Sequence, residues 1–297
     1  MAQPDYGAPV RFARLGGYHS FALSGYEMVG ITEAEGEAES MGRVSVEEIN
    51  LPVAGLPADA DGIRIAHLSD LRLRRWNPVL QAIQAELLAT NIDLLLVTGD
   101  FSERSSDYRD CAALVRRLFG PVRAPLGAFG VLGSGDDARF PDEDLPLTLL
   151  HDSVRLLGIG RGEVYLAGVE QNTSRYGAVL PLVEMIGNAG SVLVMNSDPS
   201  SAHELPNGAG ITMFSGRWRR RNSRFSMLGN LFDAGGWTSP MPAGLHAING
   251  NWVHAHAGSC GPISLARLWR PAEITILTLR CSQPISRRAK QRQACMV

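Results

Sequence analysis

Lysine is almost missing from this chain. Its 28 basic residues comprise 27 Arg and a single Lys, Lys290. Codon preference is the plain account of that choice, and it says nothing about where the Arg stand. Cysteine is scarce too. Cys111, Cys260, Cys281 and Cys295 are far apart and form no CxxC pair, which excludes a disulfide framework and a zinc ribbon. No apolar run approaches the roughly 18 to 20 residues that cross a bilayer. Met1 to Gly17 carries Asp5, Arg11 and Arg14 among small residues and lacks the unbroken apolar stretch of a signal peptide. These absences make the cytoplasm the expected location, free or peripheral to a membrane, with no transmembrane segment. A net charge of −2 removes any bulk attraction to nucleic acid or to an anionic surface.

What is present is a composition that folds. The 297 residues are 45% apolar and 20% charged, outside the disordered and fibrous ranges. They suffice for one large domain or two small ones. The charge is uneven: residues 33–39 hold four Glu, residues 217–224 (RWRRRNSR) hold five Arg, and 287–292 is basic again. The Glu run and the tail read as solvated segments, whereas the middle Arg cluster interrupts expected core. The chain divides into an N-terminal extension, 1–43, with little core of its own, a folded domain, 44–281, and a basic C-terminal tail, 282–297.

Within the domain, strand and helix signals alternate. Val44 to Val46 with Ile49, and the apolar run Ile63 to Leu68, predict strands. Asn77-Pro78 supplies an N-cap followed by Pro at the first helical position, and Leu80, Ile83 and Leu87 form the apolar stripe behind it. Leu94–Val97 predicts a strand, Asp107–Leu118 a helix, Gly127–Leu132 a strand and Pro146–His151 a short helix. Further strands are expected at Val154–Leu157, Val164–Ala167, Val192–Met195, Ile211–Phe214, Trp252–His256 and Ile274–Leu279, with a helix at Val179–Ile186. This alternation argues for an α/β fold whose sheets are covered by helices.

Chemistry in such folds gathers at the carboxyl ends of strands. Here those ends read Ser69-Asp70-Leu71-Arg72, Gly99-Asp100-Phe101-Ser102-Glu103, Gly133-Ser134-Gly135-Asp136, Asn196-Ser197-Asp198-Pro199 and Ser215-Gly216-Arg217-Trp218-Arg219. Acidic residues at two successive ends suggest a cation site, although Asp is also common in turns. The segments LPADADGIRIAHLSDLR, IDLLLVTGDFSE and PLGAFGVLGSGDD, followed by GLHAINGNWVHAHAGSCGP and LARLWRPAEITILTLR, resemble the calcineurin-like metallophosphoesterases. Within that family they are most similar to the bacterial branch of membrane-associated phosphodiesterases and UDP-diacylglucosamine hydrolases. The resemblance spans about residues 44 to 281 and implies a four-layer α/β/β/α sandwich.

It also implies a site in which two divalent metals, such as Mn, Fe, Zn or Mg, share a bridging carboxylate, activate water and clamp a phosphoryl group. The family motifs are D-x-H, G-D-x-x-D/E, G-N-H-D, a lone H before a Pro, and G-H-x-H. Asp70 and the bridging Asp100 are retained. The His of the first motif is Arg72, the Asn of the third is Ser134, and the neighbouring transition-state donor His is Gly135. The lone His falls on Ser197, or on Asn196 with a shift of one, and the last two His are Arg217 and Arg219. Transition metals prefer imidazole and carboxylate to a hydroxyl, and a guanidinium has no lone pair to give.

Metal loss would leave two carboxylates buried and uncompensated, at several kcal/mol each. A planar guanidinium can bridge such a pair. The expectation is therefore a pseudoenzyme with no metal and no catalytic residue. Asp70 and Asp100 are its remnant ligands; one or more of Arg72, Arg217 and Arg219 stand in for the metal charge, and it acts by binding or scaffolding with an unidentified protein partner. One alternative is an active metal-dependent phosphohydrolase, cleaving phosphoric esters or pyrophosphates, whose rebuilt site uses Asp70, Asp100, Asp136 and His254 or His256. Another is an anion- or phosphate-binding module built on Arg72, Arg217 and Arg219, with nucleic acid the less favoured ligand for the Arg cluster beside Trp218 and Phe225.

The remaining candidates have blander accounts. His254 and His256 point to one side of a strand and read as polar strand residues. His67 lies three residues before Asp70, on the opposite face, and reads as packed. His203 could replace the missing fourth-motif ligand only with a rearranged loop. Cys260 has no His partner at a telling spacing, and Ser134 and Ser197 lack a nucleophile elbow.

Overall fold

Asn77 shows how local sequence sets the frame. Its side chain accepts the Leu80 N–H at 3.0 Å, Pro78 follows at the first helical position, and Leu80, Ile83 and Leu87 are buried along the helix. Asp107 repeats the device, accepting the Arg109 N–H at 2.7 Å ahead of the second helix. The computed structural model describes residues 44–103, 107–136, 139–141, 143–160, 162–170, 179–187, 190–216, 241–260 and 272–282, together with the backbone of four short strands within 12–33.

In chain order these are β1 (Phe12–Leu15), β2 (Tyr18–Leu23), β3 (Tyr26–Glu27), β4 (Thr32–Glu33), β5 (Val44–Ala54), β6 (Arg64–Leu68), α1 (Pro78–Ala89), β7 (Leu94–Thr98), α2 (Tyr108–Phe119), β8 (Ala128–Val131) and β9 (Thr148–Leu149). They continue with β10 (Ser153–Ile159), β11 (Gly162–Val169), α3 (Val179–Ile186), β12 (Ser191–Asn196), β13 (Thr212–Ser215), β14 (Gly244–Ile248), β15 (Asn251–Ala255) and β16 (Ala272–Ser282). One sheet has the order β4-β5-β16-β6-β7-β8-β9 and another β10-β11-β12-β13-β15-β14; β1, β2 and β3 make a small third sheet. Parallel pairing of β6, β7 and β8, and of β11, β12, β13 and β15, brings their carboxyl ends to one rim in each sheet.

Period-two alternation decides which core each residue joins. Ile65, Leu96, Val131, Leu193, Met195, Phe214 and Leu277 fill the space between the two large sheets. Leu68, Leu95, Val97, Leu80, Val115 and Leu118 pack the outer face of the seven-stranded sheet against α1 and α2. Val192, Val194, Met213 and Val253 do the same for the six-stranded sheet under α3. The described layers thus run helices, sheet, sheet, helix.

The structure corrects one expected element. Pro146–His151 is not helical: Thr148–Leu149 pairs parallel with β8. Leu147 and Leu149 are buried on either side of exposed Thr148, so period-two burial beside an open sheet edge outweighs the Pro signal. Strand β14 carried no clear strand pattern and forms because β15 offers it an antiparallel partner. The strands within 12–33 likewise had no period to announce them. The tail from 283 onward lies outside the described residues.

Candidate functional site

The strand-end loops are held by one another's backbone. Asp70 N–H donates to Gly99 C=O at 3.1 Å, Arg72 N–H to Asp100 C=O at 2.9 Å and Leu73 N–H to Phe101 C=O at 2.7 Å. To make this interlock, Asp70, Arg72 and Asp100 adopt left-handed φ of 53°, 46° and 49°. That conformation costs a non-glycine residue roughly 1 kcal/mol or more. Gly99, at φ 75°, sits where a Cβ would lie 2.5 Å from the Ser197 Cβ, so the second and fourth motif loops touch only because this residue has no side chain.

This geometry turns Arg72 across both retained carboxylates. Its Nη2 lies 3.5 Å from Asp100 Oδ2 and its Nε 4.0 Å from Asp70 Oδ1. Asp70 is buried and Asp100 nearly so, with side-chain exposures of 5% and 14%. The other Asp100 oxygen, Oδ1, accepts the Gly135 N–H at 3.1 Å. A Cβ on Gly135 would stand 3.0 Å from that oxygen, so the carboxylate occupies space that any side chain there would contest. Ser69 Oγ donates to Thr98 C=O at 2.6 Å and lies 3.1 Å from Asp70 Oδ2.

Asp136 is drawn into the loop itself. Its Oδ1 accepts Ser102 N–H at 2.9 Å and Ser102 Oγ–H at 3.1 Å, and its Oδ2 accepts Gly133 N–H at 2.8 Å. Burial pushes its pKa up to about 6, against the lowering pull of the Gly133 and Ser102 N–H groups. Its role is to clamp the third motif loop to the second.

The histidines gather elsewhere. His67, His254 and His256 are fully buried between the sheets, with ring centroids 5.1, 5.1 and 6.1 Å apart. The packed reading of His67 holds, and His254 on β15 and His256 just past its end, read as polar strand residues, both turn inward onto His67. His67 Nδ1 meets His254 Nδ1 at 2.9 Å, and its Nε2 meets Thr98 Oγ1 at 2.8 Å. One proton fits between the two Nδ1 atoms. His254 Nε2 is buried without a hydrogen-bond partner, and an orphaned acceptor is better tolerated than an orphaned N–H. This assigns Nδ1–H to His254 and Nε2–H to His67. His256 Nδ1 accepts the Gly258 N–H at 2.8 Å, which puts its proton on Nε2, 3.9 Å from Glu273 Oε1.

Burial, with neighbouring His254 and His256, holds the His67 pKa well below its ordinary value. Burial, with His256 and His246, does the same for His254. At the open side of this polar layer Glu47 is raised to about 8, by burial first and by the Glu273 carboxylate second. Sequence reasoning missed Glu47, Thr98 and Thr275 as parts of this layer. Thr275 pairs with both His67 and Glu47 across β16, a placement no linear motif announces.

The structure therefore brings Asp70, Arg72, Asp100, Gly135 and Ser69 together, with Asp136 as the clamp behind them. Ser134 is exposed, and Ser197 half-buried against Gly99. Asn196 is buried and its side chain accepts the Asp198 N–H at 2.8 Å. His203 is exposed on the turn after β12. Cys260 is buried, its N–H 3.3 Å from the Asp70 carbonyl. Arg217 and Arg219, with Trp218, Phe225 and the rest of the Arg cluster, lie outside the described residues. Among the described residues no three His, Cys, Asp or Glu side chains are arranged to hold a metal ion, and no helix is long and apolar enough to cross a membrane.

Residues 63–234 match the family described as calcineurin-like phosphoesterase. No curated protein matches the sequence. Among solved structures, the Thermus thermophilus sulfate thiohydrolase SoxB is similar at 12% identity and a TM-score of 0.39, over 61% of this chain and 36% of that one. A Staphylococcus aureus protein described as a 5'-nucleotidase is similar at 11% identity and a TM-score of 0.42, over 78% of this chain and 57% of that one. The chain thus spans about a third to just over half of those proteins. By the family match, which covers more than half its length, it belongs to the calcineurin-like phosphoesterase family.

Proposed function

We propose that this member of the calcineurin-like phosphoesterase family is a pseudoenzyme, which has given up the dinuclear metal site and acts by binding or scaffolding. The observation that carries the reading is the Arg72 guanidinium, 3.5 Å from Asp100 and 4.0 Å from Asp70. A fixed cation lies against the two carboxylates that would otherwise hold metal. The donor set around it points the same way. Asp100 Oδ1 is taken by a backbone N–H, Gly135 offers no side chain, and Ser134 and Ser197 offer only hydroxyls, which are poor ligands for transition metals. These residues do not fit a pair of divalent ions. Losing one charged group from such a cluster leaves the rest uncompensated, so Arg72 is what allows Asp70 and Asp100 to stay.

The test is metal content and turnover of the purified full chain, with bis(p-nitrophenyl) phosphate as substrate and Mn²⁺ supplied. The expected result is no stoichiometric metal and no Mn²⁺-dependent hydrolysis. Stoichiometric metal together with hydrolysis that Asp100→Asn abolishes would establish the rebuilt-site phosphohydrolase instead.

A second reading is favoured by one atom. Arg72 Nε is buried and makes no hydrogen bond, so the guanidinium keeps a donor for an anion oxygen. An anion-binding module would use it with Arg217 and Arg219. It would show phosphate binding that weakens with salt and is lost in Arg72→Ala.

A further inference from the structure

The six-stranded sheet ends on β10, and among the described residues no strand pairs with its outer edge. Natural edge strands are usually short, charged, bulged or interrupted by Pro. Strand β10 is seven residues long, reads SVRLLGI, and has Arg155 as its one charge. The other edge of that sheet, β14, has five residues, and β9, an edge of the seven-stranded sheet, has two.

The side chains show which face is unfinished. Leu157 and Ile159 are buried in the core between the sheets. Val154 points the other way and packs on the layer beneath α3, so by period two Leu156 and Gly158 share that outer face. Leu156 is 52% exposed, and a Cβ on Gly158 would meet nothing within 4 Å. Helix α3 lies on the same layer and reads VLPLVEMI, with Glu184 its one charge; Leu180 and Met185 are 36% and 76% exposed. A helix apolar on nearly every side normally belongs under cover. Three of the four large apolar residues exposed among the described residues lie on this side; the fourth, Leu88, is on α1.

We propose that this edge is a self-association surface, on which a second copy of the chain adds its own β10 antiparallel, continuing the six-stranded sheet across a two-fold axis at Leu156. The strand's own sequence favours that register over the one shifted by a residue toward Arg155. Centred on Leu156, Arg155 faces Leu157 of the second copy, Val154 faces Gly158 and Ser153 faces Ile159. Centred on Arg155, the two Arg155 side chains would oppose one another, and like charges directly opposite are destabilising. The size is adequate. Seven residues extend about 24 Å, and the sheet edge with its helix layer is about 20 Å deep. The face is then roughly 500 Å² per copy, near the lower bound of about 1,000 Å² in total for a specific interface.

The experiment is sedimentation equilibrium of the full chain from about 1 to 100 μM, with Leu156→Lys and, as a control of matched exposure on another face, Leu88→Lys. The wild type and Leu88→Lys dimerise, whereas Leu156→Lys weakens association at least about tenfold and keeps the wild-type circular dichroism spectrum. A monomeric wild type, a dimer that survives Leu156→Lys, or equal loss in both variants overturns the assignment. This association is independent of metal content and turnover, so its failure leaves the pseudoenzyme reading standing.

Discussion

Two polar regions, one around His67 in β6 and one around Asp70 just past its end, differ in chemistry. In front, at the strand ends, a guanidinium faces two carboxylates. Behind, between the sheets, three imidazoles face one another and the Thr98 hydroxyl. The imidazoles are turned into the core, and a guanidinium, which would repel a metal ion, stands against the two carboxylates of the rim. Charge compensation and ligation are therefore separable: the rim keeps its retained carboxylates with an ion pair, and the buried layer keeps its neutral rings with hydrogen bonds.

The largest effect should come from removing the rim's cation. Arg72→Met leaves Asp70 and Asp100 facing each other without that guanidinium, and the expected loss is about 3 kcal/mol in denaturant-monitored unfolding. Arg72→Lys should recover part of it, because the charge remains and the planar fork does not. A loss below about 1 kcal/mol for Arg72→Met would mean that the rim is held by other partners.

The buried layer is best tested by pH. The unfolded chain takes up the protons of His67 and His254 below their ordinary value of 6.5, so these two destabilise the fold as pH falls. Asp136 and Glu47 act in the opposite sense. The fold keeps their protons up to about 6 and about 8, whereas the unfolded chain releases them near 4, so both destabilise as pH rises through those windows. His246, which burial also lowers, joins His67 and His254, so between about pH 4.5 and 6 three groups act against two and stability changes little or rises slightly with pH. From about pH 6.5 to 8 Glu47 acts alone, and stability should fall by about 2 kcal/mol, at 1.4 kcal/mol per pH unit. Urea unfolding at pH 5, 6.5 and 8 reads this directly, and Glu47→Gln should flatten the fall above 6.5. A wild type that gains stability toward pH 8 would contradict the assignment.

On the pseudoenzyme proposal, an imidazole placed at the rim should not by itself create a metal site. Gly135→His places a Cβ 3.0 Å from Asp100 Oδ1, and overpacking of this kind costs about 1 to 3 kcal/mol. Stability should fall, and on the same proposal the variant shows no Mn²⁺-dependent hydrolysis; hydrolysis gained by the variant would show that the rim is one substitution from a working site. The smallest effect belongs to the joint between the regions. Ser69→Ala removes the bond to Thr98 C=O, and about 1 kcal/mol is expected in the same unfolding assay.

The frame was largely legible. Asn77 and Asp107 announce their helices because a cap is a contact over two or three residues, and the short apolar runs at β6 and β7 announce buried strands because such a run is itself a local signal. Motif order placed Asp70, Arg72, Asp100, Gly135 and Ser197 at strand ends, and the fold carries their loops to one rim. Residues 146–151 were misread because Pro146 signals a helix start locally, while the burial of Leu147 and Leu149 depends on β8. Arg217 and Arg219 lie outside the described residues, so their part in the rim remains a proposal.

By itself the sequence determined which side chains stand at the ends of which strands. Only the tertiary structure decided that Arg72 reaches both carboxylates, that Asp136 is a clamp, and that His67 meets His254 across 187 residues of chain. The reason is the range of the forces. Capping and alternation act within a turn or two, whereas the distance between two rings on different sheets is set by strand register, sheet twist and packing of the whole core.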